Sequence, residues 1–291
     1  MSTEEVAALA VVAGGSRGRR AQSVPVRAMS WAYLALLGLY FLVPLMAMAR
    51  FAFQNVPVAL LSPDKILTGW SAAGLISAIT DPEILSAART SAILVVGSLV
   101  LNLVLILPLA IVVDVAFPSW RHALAGITLV PWVIPPIALV VGVAATFRVA
   151  APWFLSSPLC LIPFYALWSM PFAYRAIDAG LRSINSRTLV DASRSMGASF
   201  STILLRVLIP NLGPSLVAAS GLTAAFVLGE FAFASLLLKT TLPTQMVIYQ
   251  RSDPRGGLAL ALLVMMLSAL AIGAMVLLLR RRGLNISATG I

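Results

Sequence analysis

The sequence predicts an all-α polytopic membrane protein with six transmembrane helices. Three observations carry that expectation. Of 291 residues, 60% are hydrophobic and only 10% charged, with mean hydropathy +0.99; a soluble domain carries about 25% charged residues. The apolar residues fall into runs suited to spans of about 20 residues. These runs lack the alternation of barrel strands, and a backbone in lipid satisfies itself only as helix or closed barrel.

Residues 1–30 hold Arg17, Arg19, Arg20 and Arg27 among Ala, Gly and Ser, and read as a basic cytoplasmic tail. The first apolar run, Trp31–Ala49, ends on Ala47-Met48-Ala49, which resembles a signal-peptide cleavage site. Its length exceeds the usual stretch of about 7–15 residues and its leader is long, so an uncleaved first span is expected. Residues 52–86, with Pro57, Pro63, Asp64, Asp81, Pro82 and Glu83, read as an external loop. Span two is expected at Thr90–Val113 and span three at Leu124–Phe147, kinked by Pro131, Pro135 and Pro136. Span four follows at Leu159–Tyr174, span five at Pro214–Leu238 and span six at Leu258–Leu279. Residues 31–280 thus form the transmembrane domain and 281–291 a short cytoplasmic tail.

Charge placement orients the chain. With both termini inside, four arginines of the first tail, Arg121, five arginines of the 175–209 loop and Arg280-Arg281-Arg282 all lie in the cytoplasm. Arg50, Lys65, Arg89, Arg148, Lys239, Arg251 and Arg255 fall outside, several beside acids. The net charge of +10 therefore records membrane orientation rather than nucleic-acid binding. Cys160 lies in an apolar run and can form no intrachain disulfide; His122 reads as a solvated loop residue. No His/Cys/carboxylate cluster has metal-site spacing, and neither a Walker lysine motif nor a nucleophile elbow is present. No catalytic residue, metal site or bound cofactor is expected.

The stretch 175–210 is long for a helix connection and demands a reason. Leu189, Met196, Phe200, Ile203, Leu204 and Val207 recur at helical spacings, Gly197 suits a break or left-handed cap, and Ser199 can cap a second helix. Two short amphipathic helices ended by Pro210 are expected. An interfacial element resting on headgroups and a docking element for a soluble partner fit these residues equally well.

Glu230 is the one acid well inside an expected span, between Gly229 and Phe231. A mid-bilayer charge costs at least ~2.5–3.5 kcal/mol on insertion scales, so it should face a cavity or a partner. It reads as a pathway or gate residue, or as a structural carboxyl that is paired to a second subunit or protonated. Asn102 bonds between helices or lines the pathway. Pro135 and its neighbours mark a bending gate or an ordinary kink. Asp178 and Arg182, at i and i+4, read as a surface pair of little consequence.

Asp191-Ala192-Ser193, Gly197 after three further residues, and Ile209-Pro210 resemble the EAA loop of ABC importer permeases, type I, the inner-membrane component of binding-protein-dependent transport. Pro171–Arg182, Gly229-Glu230-Phe231 and the stretch from Thr241-Leu242-Pro243 to Asp253-Pro254 resemble the spermidine/putrescine-type branch. The resemblance covers roughly residues 85–280. It departs from the family pattern at Asp191 and Ser193, where Glu and Ala are usual; the aspartate keeps the charge on a side chain one methylene shorter. The resemblance implies a coupling loop at 175–210 whose Asp191, Ala192, Arg194, Met196, Gly197, Phe200 and Pro210 meet a partner ATPase. It also implies a second permease subunit (a heterodimer), an ATP-binding subunit dimer holding ATP and magnesium, and an extracytoplasmic binding protein. The implied location is a bacterial inner membrane and the implied cargo a polyamine. Iron, thiamine, phosphonate or sugar import by the same machinery, proton-coupled transport through Glu230, and a membrane scaffold are the competing readings.

Overall fold

The computed structural model describes residues 24–56, 62, 65 and 68–281. Most of the basic amino-terminal tail, including Arg17, Arg19 and Arg20, lies outside the described residues, as do Pro57, Pro63, Asp64 and residues 282–291. Two units are distinguished, divided after Met48.

The first unit ends within α1 (Val24–Phe53), which starts inside the stretch expected to be tail. The side chains of Met29–Met48 are exposed or half-buried, including Trp31, Tyr33, Tyr40 and Phe41. A helix apolar all round requires cover by lipid or protein.

The second unit is built on α3 (Pro82–Ala116). Asp81 starts it: its Oδ1 accepts from the Glu83 and Ile84 amides at 2.9 and 3.0 Å, with Pro82 in the first turn. At 1.5 Å per residue α3 is about 50 Å long, well beyond a hydrocarbon core of about 30 Å. Its buried residues, among them Ile84, Ala87, Ser91, Leu94, Ser98, Asn102, Ile106 and Ala110, recur every three or four positions as one stripe. Small side chains along that stripe let neighbouring backbones approach. Ser91 Oγ accepts from the Leu242 amide at 2.8 Å, and Ser98 Oγ donates to the Ile162 carbonyl at 3.3 Å. Asn102 Nδ2 donates to Ser169 Oγ at 2.8 Å and Thr223 Oγ1 at 3.4 Å.

The unit also contains α2 (Ala73–Thr80), before α3, and α4 (Arg121–Val133), α5 (Pro136–Ala150), α6 (Pro152–Ser156) and α7 (Leu161–Ser183) after it. They are followed by α8 (Ser186–Ser195), α9 (Phe200–Asn211), α10 (Gly213–Gly229), α11 (Ala232–Leu236), α12 (Leu242–Ser252) and α13 (Pro254–Arg281). No strand occurs among the described residues. α7 is buried along most of its length, against α3 on one side and α10 on the other. At Gly180 a Cβ would lie 2.0 Å from Ser215 Oγ and 2.5 Å from Ser215 Cβ, so the α7–α10 contact needs a residue without a side chain.

Several sequence expectations change. Among the described residues, Met29–Phe53, Pro82–Ala116 and Pro254–Leu277 are long and apolar enough to cross a membrane; counting each bent helix pair as one span raises the candidates from three to five, one fewer than the six expected. Span four, expected at Leu159–Tyr174, falls in α7, whose second half carries Arg175, Asp178 and Arg182 and is too polar to count. Span three is two helices, α4 and α5, meeting at 83° rather than one kinked rod. Residues preceding proline are pushed out of the α region: Ile134 and Pro135 have ψ of 121° and 137°, and neither Pro135 nor Pro136 has an amide to bond back into α4. Span five likewise stops at Gly229, and α9 meets α10 at 71°. The loop expected at 52–86 contains α2 and the first turn of α3, and α12 was not anticipated.

Gly180→Ala should lower thermal stability in detergent by about 1–3 kcal/mol through overpacking. Adding Ser215→Gly should recover part of that loss; a midpoint unmoved by Gly180→Ala would contradict the contact.

Candidate functional site

Two regions gather the residues singled out in the sequence. The first is the loop of α8 and α9. Asn185 enters it in the left-handed region at φ 50°. At the far end of α8, the Gly197 amide bonds to the Arg194 carbonyl at 2.9 Å and the Ala198 amide to the Ser193 carbonyl at 3.0 Å, with Gly197 at φ 77°. That pairing is a Schellman cap, which calls for glycine at this position. Ser199 then caps α9, its Oγ accepting from the Thr202 amide at 3.4 Å. Before Pro210 the helix widens to a π turn over Ile203–Leu208, and the Ile209 amide reaches back to Leu204. Proline removes the next helical bond, so the widened turn falls beside it.

The inner face of the loop is locked. Val190, Ile203, Leu208 and Leu212 pack with Ile106, Ala110, Ile111, Ala173, Ile177 and Leu181 of α3 and α7. Ser193 is buried and donates to the Leu189 carbonyl at 2.7 Å, so the hydroxyl at this departure from the family pattern is satisfied within the helix. The outer face is bare: Asp191, Ala192 and Arg194 are exposed, as are Met196 (80%) and Phe200 (55%). Neither Asp191 nor Arg194 makes an ion pair among the described residues. A Cβ on Gly197 would meet nothing within 4 Å.

A network missed in the sequence holds the base of this loop. Asp114, 1% exposed, pairs with Arg121 of α4 and accepts from the Ser186 hydroxyl of α8. Its backbone carbonyl accepts from Arg187 Nε at 3.0 Å. Arg121 Nε also lies 3.1 Å from Asp178 Oδ1, whose other oxygen is 2.7 Å from Arg182. Asp178 is therefore no surface residue of little consequence; with Arg121 it joins α7 to α4. Span two was expected to end at Val113, one residue short of this acid, although an aspartate following Ile111-Val112-Val113 was itself a signal.

The second region is a cavity of ≈ 550 Å³ lined by Trp168, Ala225, Phe226, Gly229, Glu230, Phe231 and Ala232. Glu230 stands where α10 ends, at ψ 121°, and its Oε1 accepts from the Phe233 amide at 3.0 Å. It thereby supports α11 as a capping carboxylate does. The buried Tyr165 hydroxyl faces the same carboxylate. At the other end of α11, Leu238 takes φ 54° and is 91% exposed, a left-handed position that glycine usually fills. Trp132, two residues before the α4–α5 break, stacks on Trp168 at 5.1 Å and donates from Nε1 to the Trp168 carbonyl at 2.9 Å. Phe172 stacks on Phe226 at 4.3 Å in the same cluster. The two interrupted spans thus converge on one aromatic cluster beside one acid. Pro135 sits exposed at the break, whereas Asn102 is buried between α3, α7 and α10, apart from the cavity.

These features define a class: a helical membrane protein with broken spans beside a largely apolar cavity that holds one acid, and a protruding loop anchored to them. Interrupted helices of this kind supply irregular backbone where a cavity is lined. Residues 106–284 match the family described as binding-protein-dependent transport system inner membrane component, and the chain belongs to that family. It is a membrane-embedded transport component of an ABC importer, not an enzyme. Over 80 residues it is 34% identical to the methionine import system permease protein MetP of Bacillus subtilis (strain 168), covering 28% of this chain but only 36% of that protein. Over 210 residues it is 28% identical to the molybdenum transport system permease protein ModB of Mycobacterium tuberculosis (strain ATCC 25618 / H37Rv), covering 67% of this chain and 79% of that one. It is also 29% identical over 112 residues to the probable ABC transporter permease protein y4fN of Sinorhizobium fredii (strain NBRC 101917 / NGR234), covering 37% and 20% of the two chains.

Glu230→Gln keeps an acceptor for the Phe233 amide and should leave α11 intact, whereas Glu230→Ala should loosen it by about 1 kcal/mol. Amide exchange over residues 231–238 distinguishes them; equal exchange in both variants would contradict the capping role. Gly197→Ala should cost about 1 kcal/mol at the end of α8, and Gly197→Asn much less, because asparagine tolerates the left-handed region. Exchange at Ala198 reads this difference.

Proposed function

We propose that this chain forms half of the translocation pathway of an ATP-driven importer and takes its driving force through the α8–Gly197–α9 loop. One observation carries the reading: Met196 and Phe200 stand exposed at the tip of a loop whose inner face is fully packed. Two large apolar side chains on a rigid support suit a pocket in a partner. On this reading Asp191, Ala192, Arg194, Met196, Gly197, Phe200 and Pro210 form or support the contact with a cytoplasmic ATPase subunit, where ATP and magnesium are held. Closure of the ATPase pair would then move the loop and switch access to the pathway.

The same proposal takes α7 as a sixth span in a bundle with both termini in the cytoplasm, an arrangement supported by the distribution of arginine. The complete transporter would include a second permease subunit and an extracytoplasmic binding protein. The cavity beside Glu230, with Gly229 and Phe231, is the proposed passage, and the α4–α5 break at Pro135 its proposed bending point. A polyamine cargo rests on sequence resemblance and on the Glu230 carboxylate alone; two of the relatives are named for methionine import and molybdenum transport.

Met196→Asp with Phe200→Asp should leave membrane insertion unchanged and abolish ATP-driven uptake in the assembled transporter. Uptake at the wild-type rate would overturn the coupling assignment. For cargo, calorimetry on the transporter's binding protein decides: spermidine or putrescine binding supports the polyamine reading, and binding of methionine or a molybdenum species instead removes it.

A further inference from the structure

Asp114 is oddly placed for a residue with no role beyond packing. A carboxylate in the last turn of a helix is opposed by the helix dipole, and a buried one also loses its hydration. Here both costs are met by groups from other elements: Arg121 from α4 and the Ser186 hydroxyl from α8. Arg187 of α8 binds the Asp114 carbonyl, and the Tyr174 hydroxyl of α7 donates to the Arg121 carbonyl at 3.2 Å. One acid–arginine pair therefore joins the first turn of α8 to the first turn of α4.

α4 is built to carry movement onward. It is one continuous helix of 13 residues with Pro131 in its last turn, about 20 Å long at 1.5 Å per residue. At its far end it is released from α5 by Pro135 and Pro136, which cannot bond back into it. The side chain just before that break, Trp132, is held to Trp168 in the wall of the Glu230 cavity. We infer that Asp114 and Arg121 are positioning residues forming the linkage by which displacement of α8 moves α4 as a lever and thereby shifts Trp132 at the cavity. This inference rests on the reading of α8 and α9 as the coupling surface.

The test uses the whole transporter in proteoliposomes, with uptake and ATP hydrolysis measured on the same vesicles. Asp114→Asn should hydrolyse ATP at the wild-type rate while solute moved per ATP falls about tenfold or more. Arg121→Lys keeps the charge but loses the two-armed contact, and should fall between. An unchanged ratio in Asp114→Asn, or hydrolysis and uptake falling together in proportion, overturns the linkage. A second measurement needs no change at 114. Spin labels at the exposed positions Thr188 and His122 should keep their separation to within about 2 Å through the ATP cycle. Separation of the two labels on ATP binding overturns the proposal even if Asp114→Asn fails to assemble. Failure of the coupling surface itself is distinguished by normal uptake in the Met196→Asp, Phe200→Asp variant.

Discussion

The carboxylate of Asp114 is the meeting point of the fold. It sits buried at the end of the longest helix, and its partners come from α4 and α8, with α7 one step further through Arg121. A buried ion pair is a poor source of net stability, since desolvation offsets much of the attraction. What such a pair does well is fix relative position, because removing either partner strands a charge. The first turn of α8 and the first turn of α4 are both tied to this carboxylate.

A second constraint explains why the irregular parts lie where they do. Backbone groups at membrane depth must be satisfied within the protein. The break after Val133 is tolerated because two prolines reduce the number of amides needing partners, and Trp132 is tied to the Trp168 carbonyl. The break after Gly229 is tolerated because Glu230 supplies an acceptor to the Phe233 amide. Each interruption thus carries its own compensation, and the aromatic side chains between them close the wall of the cavity.

What could be read from sequence was mostly local. The cap at Gly197 and the restart at Ser199 depend on residues within a few positions of one another and stand as expected, whereas α9 runs through Pro210 to Asn211 instead of ending at the proline. The high hydropathy of 124–147 and 214–238 concealed the breaks, because hydropathy reports the surroundings of side chains and not the path of the backbone. The Pro135-Pro136 pair was read only as a kink, and the turn at Glu230 left no glycine or proline after it to mark the change. Asp114 was lost by one residue at an assumed span boundary, and Asp178 was undervalued because Arg121 is distant in sequence. Neither partnership has a periodic signature.

On the proposed function, the exposed tip of the α8–α9 loop meets an ATP-binding subunit. A photo-crosslinking side chain placed at Met196, in native membranes containing the whole transporter, tests that contact. An adduct with the ATP-binding subunit is expected; an adduct formed with lipid alone would overturn the assignment.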